Sequence, residues 1–219
     1  MFGMILLLGI PHGATDEVIF KALKGRVNAA DLRKFAALYL LTIGLYAAIW
    51  WVVPLWAFGF FLLLSVYHFG QSNLAPMHYG SQLMRYAHYM LWGSYVLFIP
   101  ILFNLPEAQA IVANMTQVLL PLPSEETVFK AIAVLFGLNV AAYFLLILVG
   151  RLSSAQCIRE LVHLLVLLLL YANSSLLLGF TVYFVFWHSL ASVLDQNNFF
   201  QQRLNTYHWR QFVLRALQL

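Results

Sequence analysis

The chain has 219 residues, of which 63% are hydrophobic, 16% aromatic and only 9% charged, with a formal net charge of +4. An ordinary soluble domain carries about 25% charged residues. There is too little charge here to cover a water-facing surface, which excludes a soluble globular enzyme and a disordered chain; with Cys157 as the single cysteine, a disulfide scaffold is excluded too. What remains is one integral membrane domain over residues 1–219, in which basic residues mark cytoplasmic loops and no nucleic-acid partner is implied.

In chain order, Met1 to Ile10 is apolar, Pro11 interrupts it, and Ala14 to Leu23 resumes a helical pattern. The start lacks a basic region and a small-residue cleavage site, so it does not read as a signal peptide. Phe35 to Val53 is uncharged and is broken by Pro54, after which Leu55 to Gln71 follows at once as the second arm of a tight hairpin. Tyr86 to Asn104, Ala131 to Val149 and Leu176 to Leu194 are further uncharged stretches, with Leu105 to Thr127 as a loop between the first two. Leu161 to Ala172 is shorter and should begin earlier, with Cys157 to Glu160 inside its helix. Since a span needs about 20 mostly apolar residues, the closing stretch Gln211 to Leu219 is too short to cross. The expected fold is an all-α polytopic membrane bundle of about seven transmembrane helices plus the first turns of an eighth. The chain is expected to be a fragment of a longer protein.

The basic residues fix an orientation. Lys21, Lys24, Arg26, Arg33 and Lys34, then Arg85, Arg151 and Arg159, then Arg203 and Arg210 fall in alternate loops, whereas Glu107, Glu125 and Glu126 mark the opposite side. The basic loops are therefore expected in the cytoplasm and the protein in the plasma (inner) membrane. All seven histidines fall in the leaflet or loops on that same side. Imidazoles at membrane depth are costly and face the bundle interior with a partner; several at one depth can share iron, copper or zinc.

His12, His68 and His188 each lie in a short polar interruption of an apolar helix, and the metal reading is preferred for these three. For His78, His88 and His208 a hydrogen bond to a neighbour or to the interface is preferred. Asp16, one turn after His12, is placed to accept the imidazole's second N–H from outside the ligand set, although it can equally cap the continuing helix. Gln71 and Asn73 are polar neighbours of His68. Glu160 and His163 form one copy of the Glu-x-x-His spacing of di-iron carboxylate bundles, a pattern that needs two; Glu160 can instead pair with Arg159 or Arg151. The His-box pattern of membrane desaturases is absent, and nothing specifies a bis-His haem slot.

Gly9-Ile10-Pro11-His12-Gly13-Ala14-Thr15-Asp16, Tyr67-His68-Phe69-Gly70-Gln71 and Tyr183-Phe184-Val185-Phe186-Trp187-His188-Ser189 resemble the three signatures of the Brp/Blh family. These are membrane enzymes that cleave β-carotene centrally with O₂ and non-haem iron to give retinal. The resemblance implies an Fe(II)-dependent carotenoid cleavage dioxygenase with His12, His68 and His188 as iron ligands. The family adds a second histidine in His-Ser-x-x-His where this sequence has Ser192, and it continues for two or so helices beyond this chain. His163 is the expected substitute for the missing ligand, with Asp16, Glu160 and Gln71 supporting the set. Phe69, Tyr183, Phe184 and Trp187 are expected along a substrate tunnel reached laterally from the bilayer, and the retinal product implies a link to a rhodopsin. The alternative is a non-catalytic carotenoid- or retinal-binding membrane protein that assists an opsin, a reading that Ser192 motivates.

Overall fold

A computed structural model describes residues 16–204. Among them are no strands, and nine α-helical segments follow in order: α1 (Asp16–Lys24), α2 (Ala29–Val52), α3 (Pro54–Leu74), α4 (Gln82–Phe103), α5 (Leu105–Thr116), α6 (Glu125–Leu148), α7 (Ser154–Ala172), α8 (Leu176–Val182) and α9 (Leu190–Leu204), with a π-helical segment, Tyr183–Ser189, between the last two. Five stretches are long and apolar enough to cross a membrane: Ala29–Val52, Gln82–Phe103, Glu125–Leu148, Ser154–Ala172 and Leu176–Gln196. The architecture is all-α and polytopic, as composition requires. The expected helices Met1–Ile10 and Gln211–Leu219 lie outside the described residues.

Several boundaries differ from expectation. The stretch 105–127 was expected as a loop, but it opens with the 12-residue helix α5. Pro106 sits in its first turn, Glu107 complements the positive helix end, and Gln117 closes it in the left-handed region at φ 60°. A search for apolar spans passes over so short and polar a helix. α7 starts at Ser154 because Ser153 and Gln156 form a reciprocal capping box. Arg85, expected in a loop, stands in the first turn of α4, and Arg159 stands in the second turn of α7. The last helix runs on to Leu204 rather than ending at Leu194. α3 has 21 residues but is not among the five apolar spans, since His68, Gln71 and Asn73 load its C-terminal end with polar groups.

The described residues fall into two units, 16–52 with 181–204 and, separately, 53–180. In the first, Asn28 and Asp31 exchange side chain-to-backbone hydrogen bonds (3.2 and 2.9 Å) at the start of α2. Lys24 at the end of α1 pairs with Asp31 at 2.5 Å, and Phe20 of α1 stacks on Phe35 of α2 at 4.8 Å.

In the second unit α4 is central, touching α3, α5, α6 and α7. Lipid tails are as apolar as leucine, so helices in a membrane associate by close packing and hydrogen bonds rather than by escape from water. Both devices are present. A Cβ on Gly70 of α3 would lie 1.8 Å from the Tyr89 carbonyl of α4, and one on Gly93 of α4 would lie 1.8 Å from the Val66 carbonyl of α3. Only glycine permits that crossing. Tyr95 donates to the Leu164 carbonyl of α7 at 2.7 Å, and Glu107 of α5 accepts from the Leu176 amide at the start of α8 at 3.0 Å. Trp92, Tyr95, Tyr143, Leu164, Leu167 and Tyr171 are fully buried.

Candidate functional site

The third motif occupies the π-helical segment. The Leu190 amide bonds the Val185 carbonyl, an i→i+5 register that widens the helix by one residue per turn. Five-residue spacing then puts side chains on one face, and Tyr183 and His188 lie with ring planes 29° apart and centroids at 6.5 Å. Phe184 tilts against His188 at 5.5 Å. His188 is 4% exposed, Tyr183 1% and Ser189 0%. Ser189 Oγ has no hydrogen-bond partner among the described residues. Trp187 is half-buried. Wide π turns are frequent at functional sites, and here one carries an imidazole walled by two of the aromatics expected beside it.

The second motif stands on α3 in the other unit. His68 is exposed, with its ring 5.7 Å from that of Phe69. Phe69 is buried and meets Phe180 edge-on at 5.8 Å. Gln71 is exposed. The motif's glycine makes the α3–α4 crossing, so part of this signature is packing.

Glu160, 5% exposed, carries two partners. One oxygen meets Arg159 at 3.1 Å and the other meets His163 Nδ1 at 3.2 Å. Of the two readings of this pair, the structure shows the ion pair with Arg159, and the second carboxylate oxygen meets His163. Among the described residues no group of three or more His, Cys, Asp or Glu is close enough to share a metal. Of the expected ligands, His12 lies outside the described residues, His68 and His163 belong to the unit 53–180, and His188 belongs to the other. Asp16 is the first residue of α1.

Near the same end of the unit 53–180 is an arrangement that motif reasoning passed over. His88, expected to hydrogen-bond either a neighbour or the interface, takes the neighbour and is 4% exposed. Tyr79, from the loop before α4, holds His88 Nδ1 at 3.0 Å, and Tyr143 of α6 meets the ring edge-on at 5.0 Å. Burial, reinforced by Tyr89 and Glu160, keeps the Tyr79 phenol well above the ordinary tyrosine value, so it retains its proton. The signal lay in periodicity: His88, Trp92, Tyr95 and Ile99 form the buried stripe of α4 at helical spacing.

Comparison with known proteins agrees with the motifs. A family model described as beta-carotene 15,15'-dioxygenase matches residues 3–219. The chain is 32% identical over 71 residues to a beta-carotene 15,15'-dioxygenase of an uncultured marine bacterium, covering 32% of this chain and 26% of that protein. It is 36% identical over 73 residues to a probable beta-carotene 15,15'-dioxygenase Blh of Halobacterium salinarum, covering 33% of this chain and 21% of that protein. The matched stretches thus span about a quarter of these relatives or less. No solved structure matches.

Proposed function

Since the chain belongs to the beta-carotene 15,15'-dioxygenase family, we propose that it is an enzyme that cleaves a carotenoid, β-carotene above all, with O₂ to give retinal. The observation that carries this reading is the family match over residues 3–219, which takes in all three histidine motifs. A long polyene dissolves in the bilayer, and a polytopic helical protein can admit it between helices rather than from water.

The donor chemistry fits a non-haem iron. Imidazoles suit iron with open positions, and His188 is a buried imidazole whose ring faces two aromatic side chains. His12, His68 and His188 would hold the ion, with His163 completing the set in place of the histidine that Ser192 replaces. The iron, when bound, supplies activation of O₂. Tyr183, Phe184, Phe69 and Trp187 would wall the polyene and keep water from the reacting double bond. Glu160 would fix the ring of His163 through Nδ1, while Asp16 and Gln71 would steady His12 and His68. The basic helix ends and loops support a cytoplasmic histidine-bearing side and a plasma-membrane location, from which retinal would pass to a rhodopsin.

The test is expression of the full-length gene in β-carotene-accumulating bacteria. Loss of orange colour with retinal in the extract is expected, and His188→Ala should restore the colour. Orange cells with well-expressed parent protein would overturn the proposal. Ser192 favours one other reading, a non-catalytic pigment-binding protein. Metal-free protein that co-purifies with carotenoid would support it, and stoichiometric iron that disappears in a His12→Ala/His188→Ala double variant would exclude it.

A further inference from the structure

Two adjoining cavities open at the start of α4, both within the unit 53–180. The first, about 350 Å³, is polar and is formed by the loop Met77–Gly80 with Ser81, Gln82 and Arg85. The second, about 380 Å³, is mostly apolar and runs between α4 and α6, past Leu83, Met84, Ala87, Leu91, Ala142 and Leu145. They share Ser81, and the Tyr79–His88 hydrogen bond links them, since Tyr79 lines the first and His88 the second.

The polar cavity is built for an anion. No carboxylate lines either cavity. Arg85 makes no ion pair among the described residues. Its Nη2 reaches Gln82 Oε1 and the Tyr86 hydroxyl, while its Nε is buried without a partner. The Arg151 guanidinium stands 3.7 Å from the point where a Cβ on Gly80 would sit, adding a second cation beside the loop. Ser81 caps α4 through the Met84 amide, and first-turn amides of a helix have no intrahelical partner. A helix N-terminus with an arginine fork is suited to phosphate oxygens.

The apolar groove supplies a second and independent observation. His88 lines it, is 4% exposed, and its Nε2 has no hydrogen-bond partner among the described residues. In the tautomer in which the Tyr79 phenol donates to Nδ1, the ring proton sits on Nε2 and His88 offers one buried donor to an occupant. Arg85 and His88 are three residues apart, about 4.5 Å along the axis at 1.5 Å per residue. A glycerophospholipid's phosphate and ester carbonyl are joined by a few single bonds, so one molecule can engage residues one helical turn apart.

We propose that this composite site binds one anionic glycerophospholipid, with its phosphate at Arg85 and the α4 N-terminus, an ester carbonyl at His88 Nε2 and one acyl chain in the α4–α6 groove. The occupant is fixed by the order of groups: cations, one neutral donor, then an apolar channel directed along the helices. Free phosphate would use only the first, and an uncharged polyene only the last. The site does not depend on the carotenoid reading and uses none of its residues.

Native mass spectrometry of the full-length protein with phosphatidylglycerol tests this. One retained lipid is expected, with affinity reduced about tenfold or more in Arg85→Gln and in Leu145→Trp and unchanged in Arg33→Gln. Inorganic phosphate or glycerol phosphate at millimolar concentration should not displace the lipid; displacement by either would reduce the site to a phosphate pocket and overturn the proposal. Lipid retention equal to the parent in both folded variants would also overturn it. A phosphatidylglycerol carrying a diazirine on its acyl chain needs no variant. Crosslinks on residues 82–91 or 142–146 are expected, and crosslinks confined to other helices would refute the assignment.

Discussion

Glu160 shows how one side chain can serve two neighbours in a nearly uncharged protein. Its carboxylate is buried, yet it is satisfied by Arg159 at 3.1 Å and by His163 Nδ1 at 3.2 Å, as a charge at low dielectric must be. If His163 completes the proposed iron set, His163→Ala will lower the iron content of purified protein, and Ser192→His will raise it by restoring the family's second histidine. Metal analysis of the two variants beside the parent decides this. Iron content in His163→Ala equal to the parent would make the site a three-histidine one, with His163 merely a partner of Glu160. Tyr95 offers a test of stability without any metal. Its hydroxyl donates to the Leu164 carbonyl at 2.7 Å from a fully buried position, so Tyr95→Phe should cost about 1 kcal/mol, the usual net worth of such a bond in a membrane protein or somewhat above it. Denaturant unfolding in mixed micelles measures it, and no change would mean that the carbonyl finds another donor.

Between helices, backbone proximity is the determinant. Gly70 and Gly93 allow α3 and α4 to cross with carbonyls where Cβ atoms would otherwise be, at 1.8 Å in each case. The obstacle is main chain, which cannot swing aside as a side chain can. Gly93→Ala is therefore expected to destabilise by about 1–3 kcal/mol, the cost of overpacking, or more. Gly59→Ala on the same α3, with open space around its Cβ, should leave the melting midpoint unchanged or slightly raised. Equal behaviour of the two variants in a thermal melt would argue against the close crossing. The start of α7 was legible in part: Cys157 to Glu160 were expected inside the helix, while the reciprocal cap of Ser153 and Gln156 that sets its first residue at Ser154 emerged only in the structure. α5 was not legible, since a helix of 12 residues with a proline and a glutamate in its first turn carries no span signal and gains its place by tying Glu107 to the Leu176 amide. The π turn at Tyr183–Ser189 was also invisible: its residues are mostly aromatic, with Val185 the one aliphatic among them, and no proline or glycine marks the change of register.

For the chain as a whole, orientation remains the simplest property to check. With Cys157 replaced, single cysteines at Ala29 and at Leu119 should behave oppositely in intact cells. The exposed Leu119 position should react with an impermeant maleimide and the Ala29 position should not. Labelling at Ala29 alone would invert the topology. Membrane class, the all-α architecture, the approximate positions of the five longest apolar helices, and the three histidine motifs were all readable along the chain. Each rests on properties of neighbouring residues: the cost of charge in lipid, the length of an apolar run, a cap or a proline. Which polar groups meet was not readable. Tyr95 with Leu164 and Glu107 with Leu176 are each 69 residues apart, and Tyr79 with His88 spans a turn of unspecified path. Those meetings depend on the rotation and depth of each helix against its neighbours. Close packing sets both, at points such as Gly70 and Gly93, and that packing is a relation between distant segments that no local stretch of sequence contains.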